Sequence, residues 1–259
     1  QNLDSIVELE TDVLPCLIDM KWKGVRISED QVEVIEKKFK KTYDDCLKSV
    51  QKKTGIFPEV WAARSIAKVC EKLDIRDIKR TEKTKAPSFT KNYLSNHPHR
   101  LIRNIATARQ MDKLRNTFIE TLKNYVVKGR IHADINQLRG DQGGTLTGRL
   151  SYSHPNLQQL PNYNEFGTGI RSIFSPNSDK EKWGCFDYSQ QEPRLVVHFA
   201  LRTPGIIGVD GMAKAFTEDP STDFHQIVAD IAGIDRKQAK TINLGLFYGM
   251  GVAKLQDQL

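Results

Sequence analysis

No run in these 259 residues approaches the roughly 20 consecutive apolar positions that a bilayer-spanning helix needs. No basic stretch followed by an apolar one marks a secretory leader. Cysteine is scarce and scattered: Cys16, Cys46, Cys70 and Cys185 show no CxxC spacing, which argues against a disulfide framework or a zinc site. A reducing, cytoplasmic compartment is therefore expected. With 17 Gly and 10 Pro the chain has an ordinary share of breakers, and no repeat or low-complexity tract, which excludes collagen-like and disordered classes. The first residue is Gln1 rather than Met, so the chain is expected to be cut from something longer.

Charge is present in abundance and unevenly spread. Of 39 basic and 32 acidic side chains, residues 1–140 hold 28 and 19, and residues 141–259 hold 11 and 13. A basic front half suits a polyanion gripped by its backbone, because each neutralised phosphate releases condensed counterions. A solvated basic surface explains the same numbers equally well.

The front half reads as helical. Residues 12–27 carry apolar side chains at helical spacing up to a stop at Gly24. Ser28 is placed to cap a long helix over 29–54 that Gly55 ends. A further helix is expected at 58–74, then a polar, basic loop around Pro87, then a long helix from 99 to 127. The outer side of that last helix carries Arg100, Arg103, Arg109, Lys113, Arg115 and Lys123. They form either a wet face or a row of phosphate donors laid along a nucleic acid.

The second half changes character. Residues 131–138 alternate like a strand. The segment TLTGRLSYSHPNLQQLPN that follows is dense in hydrogen-bonding side chains: Thr145, Thr147, Arg149, Ser151, Asn156, Gln158, Gln159 and Asn162. Such a run is costly to order unless its donors are met, either by the loop itself or by the minor-groove acceptors that are nearly alike in every base pair. Next, KWGCF (182–186) is expected as a short strand ending at Asp187, with a helix beginning around Pro193. A carboxylate at such a strand end suits Mg²⁺, with Glu192 one helical turn further on.

In DRKQAKTINLGLFYGMG, Arg236, Lys240, Leu244 and Tyr248 recur every four residues and so share one slowly drifting helix face. Two cations followed by an apolar residue and an aromatic have the shape expected of a receptor for a nucleoside triphosphate, with His225 expected as a further phosphate donor. An amphipathic helix with Leu244 and Tyr248 in a core is the plain alternative. Gly245 and Gly249 weigh against it, because glycine inside a helix costs about 1 kcal/mol relative to alanine.

Together, TLTGRLSYSHPNLQQLPN, DYSQQEPRLVVHFA and RKQAKTINLGLFYGMG resemble three blocks, in order, of the family A (DNA polymerase I-like) DNA polymerases, covering residues 145–251. DVLPCLIDMKWKGVRIS, APSFTKNYL and RQMDKLRNTFIETL resemble the family's thumb more loosely, and QQEPR looks like its bacteriophage members. The resemblance implies an α+β, right-hand architecture: a helical thumb at 1–130, part of an antiparallel-sheet palm at 131–200, and incomplete helical fingers at 201–259.

It also implies roles. Asp187 matches the first metal-binding aspartate, and the Tyr188 main-chain oxygen helps hold the triphosphate-side Mg²⁺. Arg236 and Lys240 match cations on the incoming dNTP, with His225 nearby and Gln190 in the same nucleotide-binding set. Tyr248 matches the tyrosine beside the templating base, and Glu192 the glutamate bonded to it that blocks a ribose 2′-OH. Thr147, Arg149, Asn156, Gln158 and Gln159, with Arg109 and Lys113, are the residues expected on primer–template DNA. The implied chemistry is attack of a primer 3′-OH on the α-phosphate of a dNTP with two Mg²⁺ ions.

Two departures from the family pattern stand out. Leu244 occupies a position usually held by Phe or Tyr, so weak dideoxynucleotide incorporation is expected, which Leu244→Tyr should raise in a primer-extension assay. The family's third block, with His-Asp-Glu and the second metal-binding aspartate, is absent. A second polypeptide or further segment is therefore expected to complete the metal site. The apolar helix end at Val252 and Leu255 is expected to be a sticky surface awaiting that partner. Two other readings stay open: a non-catalytic primer–template-binding subunit, and a single-subunit RNA polymerase, against which the Glu192–Tyr248 pair speaks.

Overall fold

The computed structural model describes residues 3–141, 143–162 and 164–256. The described chain forms two compact units, Gln1–Lys182 and Trp183–Leu259.

The first unit opens with α1 (Asp4–Lys23), which begins earlier than residue 12 and carries Pro15 in its interior. It stops where expected, at Gly24, whose φ of +60° favours glycine. After β1 (Val25–Arg26) comes α2 (Glu29–Thr54). The Ser28 side chain accepts from the Gln31 amide, and Gly55 closes the helix in the left-handed region. Both caps are as the sequence predicts. α3 (Ala63–Lys72) is shorter than the 58–74 expected, and α4 (Lys91–Asn96) follows.

The helix expected over 99–127 is three pieces: α5 (Arg100–Lys113), a π-helical stretch Leu114–Ile119, and α6 (Glu120–Asn124). In an α-helix, residues five apart lie roughly 140° apart around the axis. The wider turn brings Leu114 and Ile119 to the same side, and both are buried. The stretch expected as one strand at 131–138 is also interrupted. β2 (Val126–Val127) and β1 flank β3 (Arg130–Ile131) in an antiparallel sheet, while β4 (Asp134–Asn136) pairs antiparallel with β5 (Ser151–Ser153). A 3₁₀ turn (Leu157–Gln159) and α7 (Glu165–Arg171) complete the unit.

Two apolar clusters hold this unit together. Leu47, Val50, Ile66, Val69, Leu94, Ile102 and Ile105 join α2, α3, α4 and α5. Phe39, Met111, Leu114, Ile119, Ile131, Ile170 and Ile173 join the other half of α2 to the π stretch, β3 and α7. Each fully buried side chain of this size contributes about 1.5–3 kcal/mol. Leu157 and Leu160 pack against the second cluster, which seats the polar 145–162 loop on the core.

KWGCF is not a strand: among the described residues no strand pairs with it, and Phe186, in the second unit, is 97% exposed. The helices α8 (Gln191–Ala200), α9 (Val209–Glu218), α10 (Phe224–Ala232) and α11 (Arg236–Phe247) follow. Pro193 lies in the first turn of α8, where its missing N–H costs nothing. The expected continuous last helix ends at Phe247, because Gly249 adopts φ +76°, and a short α12 (Val252–Gln256) starts afresh. No described helix is long and apolar enough to cross a membrane.

Candidate functional site

The structure divides the expected site residues between the two units. The group expected on DNA lies in the first. There the polar loop partly satisfies itself: Thr145 Oγ1 donates to the Arg149 carbonyl, and Thr147 Oγ1 to Thr145 Oγ1. Asn156 Oδ1 accepts from the Gln158 amide and so caps the 3₁₀ turn, while Gln158 Nε2 donates to the Leu150 carbonyl. Thr147, Arg149, Asn156, Gln158 and Gln159 are all exposed. They sit on an ordered ledge, which is what contact with a ligand needs.

Arg109 and Lys113 share α5 but not a role. Lys113 is exposed. Arg109 turns inward: Nε donates to the Val60 carbonyl and Nη1 to the Phe89 carbonyl at 2.8 Å, and the guanidinium lies 5.2 Å from the Trp61 ring centre. Burial lowers its pKa. This corrects the picture of Arg109 on a wet helix face, since those contacts tie the chain before α3 and α4 to α5. Arg103 likewise spends a donor on the His97 and Pro98 carbonyls.

The second unit gathers the residues expected on nucleotide. The Tyr248 hydroxyl donates to Glu192 Oε1 at 2.6 Å, joining the end of α11 to the first turn of α8. Tyr248 is the C-cap of α11, and the turn beyond it favours glycine at Gly249, which adopts φ +76°. Lys240 is exposed on the same helix, with Leu244 half-buried one turn on.

His225 is 4% exposed, and its Nδ1 lies 3.1 Å from the Asn243 amide nitrogen. An amide nitrogen only donates, so Nδ1 accepts and the ring proton sits on Nε2. Burial pushes the imidazole pKa down. Arg236 and Lys240 push it the same way, against Asp223 and Glu192. His225 is thus a neutral N–H donor and not a cation.

Arg236 Nε donates to Asp223 Oδ2 at 2.6 Å. Burial raises the Asp223 pKa, but the Arg236 bond and the Gln226 and His225 amides outweigh it, and the carboxyl titrates below its ordinary value. Gln190 stands in the left-handed region at φ +53°, held there by both ends of its side chain: Nε2 donates to the Thr222 carbonyl and Oε1 accepts from the Phe224 amide. Its amide braces the turn ahead of α10. Neither this brace nor the second partner of Asp223 is visible in sequence spacing. An acidic residue just before an apolar-periodic stretch does read as a helix cap, and Asp223 is one.

Asp187 and Tyr188 are exposed, Tyr188 by 80%. A carboxylate and a main-chain oxygen are hard donors of the kind Mg²⁺ takes. Among the described residues no three His, Cys, Asp or Glu side chains converge on a possible metal position. The donors here therefore fit part of an oxygen shell.

The model of DNA polymerase family A matches residues 29–259. The chain is 38% identical over 275 residues to a DNA-directed DNA polymerase of Pseudomonas phage M6, which covers 100% of this chain and 41% of that protein. It is 31% identical to DNA polymerase DpoZ of Vibrio phage phiVC8 (100% and 43%) and 30% identical to DNA polymerase I of Geobacillus stearothermophilus (98% and 29%). The chain thus spans less than half the length of these relatives. Among solved structures, the POL domain of Pol1 from M. smegmatis, in complex with DNA primer-template and dNTP, matches 97% of this chain and 44% of its own. The TM-score is 0.70 at 24% identity, which establishes a shared α+β fold.

Proposed function

We propose that this chain, which belongs to DNA polymerase family A, supplies the primer–template grip and the nucleotide-binding face of a template-directed DNA polymerase. The observation that carries the reading is the 2.6 Å bond between Tyr248 and Glu192, beside a helix that also bears Arg236 and Lys240. A carboxylate pinned to a tyrosine next to a phosphate-binding face is placed to reject a ribose 2′-OH. This favours dNTP over NTP and DNA over RNA synthesis.

In this reading Arg236 and Lys240 bind the triphosphate, His225 adds a neutral N–H, and Tyr248 lies against the base pair being formed. Asp187 and the Tyr188 carbonyl would help hold two Mg²⁺ ions, which would supply charge neutralisation for attack of the primer 3′-OH on the α-phosphate with departure of pyrophosphate. The remaining carboxylate comes from polypeptide outside these 259 residues, because the chain carries no His-Asp-Glu block. Residues 1–130 serve as thumb, 131–200 as part of the palm and 201–259 as part of the fingers, and the protein works in the cytoplasm of a bacterial host.

The test is primer extension by the purified chain with Mg²⁺ and all four dNTPs, beside a binding assay on the same primer–template. Binding without extension is the expected result, with extension restored by the polypeptide carrying the third block. Failure of that polypeptide to restore it would favour a non-catalytic DNA-binding subunit. Extension by the chain alone, abolished by Asp187→Ala, would place a second metal ligand within these residues and overturn the split site. Failure to bind DNA would overturn the reading entirely.

A further inference from the structure

The Asp223 carboxylate divides its two oxygens between two tasks. Oδ1 accepts from the His225 and Gln226 amides at 3.0 and 3.1 Å, which caps α10. Oδ2 is left for Arg236 Nε, at 2.6 Å across thirteen residues. Both side chains of that pair are half-exposed, at 32% and 48%. Ion pairs of such exposure add little to stability, so the consequence of the bond is orientation. A guanidinium is a rigid planar fork with five donors, and fixing Nε fixes the plane. Among the described residues its four Nη hydrogens have no partner.

We infer that Asp223 is a positioning residue for Arg236, holding the guanidinium so that its free Nη edge meets the triphosphate of an incoming nucleotide as a bidentate donor. The inference rests on the reading of Arg236 as a triphosphate ligand. The turn that bears Asp223 is itself held in place. Gln190 bonds the Thr222 carbonyl at 2.6 Å and the Phe224 amide at 2.7 Å, and Arg194 Nη2 bonds the Pro220 carbonyl at 2.6 Å. Arg194 is further seated 4.4 Å above the Phe216 ring. An arginine already fixed loses less side-chain freedom on binding phosphate than one that must be ordered by the ligand. The opposing physics is plain: a carboxylate near a triphosphate repels it. The two effects predict opposite signs for removal of the Asp223 charge.

Equilibrium binding of tripolyphosphate and of dTTP to the full chain decides between them, using wild type, Asp223→Asn, Arg236→Ala and the double variant. Asparagine keeps Oδ1 as an acceptor, so the α10 cap and the thermal midpoint are expected to persist. Asp223→Asn is expected to weaken both ligands about three- to tenfold, the effect of freeing one rotamer-rich side chain. Arg236→Ala should weaken them at least as much, and the double variant no more than Arg236→Ala alone. Unchanged or tighter binding by Asp223→Asn, with Arg236→Ala still weakened, would reduce Asp223 to a cap. Losses that multiply in the double variant would make the two residues independent. If Arg236→Ala changes neither affinity, the triphosphate reading itself fails and takes the inference with it. In the wild-type chain, the Arg236 Nε proton should exchange more slowly than that of Arg202, an arginine with no carboxylate partner among the described residues. Equal rates would mean the pair does not form.

Discussion

At the scale of single residues, the second unit turns a histidine expected as a phosphate contact into one with a defined protonation state. His225 is buried, accepts from Asn243, and is pushed below its ordinary pKa by burial and by two cations. The unfolded chain, with an ordinary histidine near about 6.5, therefore takes up the proton first as pH falls. Stability from this group is fully present above that value and is lost as pH drops toward the lower folded value. The thermal midpoint of the second unit should fall between pH 7 and pH 5, and His225→Gln should flatten that dependence. Circular dichroism melts at pH 7, 6 and 5 check it, and a wild-type midpoint constant across the range would contradict the buried neutral imidazole.

At the scale of elements, helix ends were legible wherever their chemistry is local. Ser28 and Gly55 mark α2 because a hydroxyl three residues from an amide, and a glycine in the left-handed region, depend on neighbours in the chain. The π stretch at Leu114–Ile119 was not legible, since it exists to bring two side chains to a core made by other elements. KWGCF was misread for a related reason: a strand needs a hydrogen-bonding neighbour, which apolar character alone cannot supply. Arg109 shows the same limit on a helix face. Its guanidinium bonds two carbonyls ahead of α3 and α4, so Arg109→Ala should cost about 1–3 kcal/mol by leaving half-buried acceptors unpaired. Lys113→Ala, one turn on and exposed, should cost less than about 0.5 kcal/mol. Urea denaturation of the two variants checks the contrast, and equal stabilities would remove the bracing role.

At the scale of the molecule, the charge asymmetry follows the two units. The residues expected on DNA all lie in the basic first unit, and those expected on nucleotide all lie in the second. If the first unit grips the phosphate backbone, the affinity measured in the binding assay should fall steeply with salt. Contact with about four phosphates corresponds to roughly a tenfold loss on doubling the salt concentration. An affinity indifferent to salt would leave the basic excess as a solvated surface.

The sequence by itself determined the family, the mainly helical first unit, the long capped helix and the four-residue rhythm of Arg236, Lys240, Leu244 and Tyr248. These follow from residue types at short separations, or from blocks whose order survives in one dimension. Only the tertiary structure decided which polar groups meet. Tyr248 and Glu192 are 56 residues apart, and no periodicity connects them; the bond was expected from resemblance alone. Arg109 and Val60 are 49 apart, Gln190 and Phe224 are 34, and Asp223 reaches Arg236 across a helix. Each pairing satisfies a donor that the local chain leaves open. Where the local chain stops satisfying its own hydrogen bonds, packing chooses the partner, and that choice is not encoded at any fixed spacing.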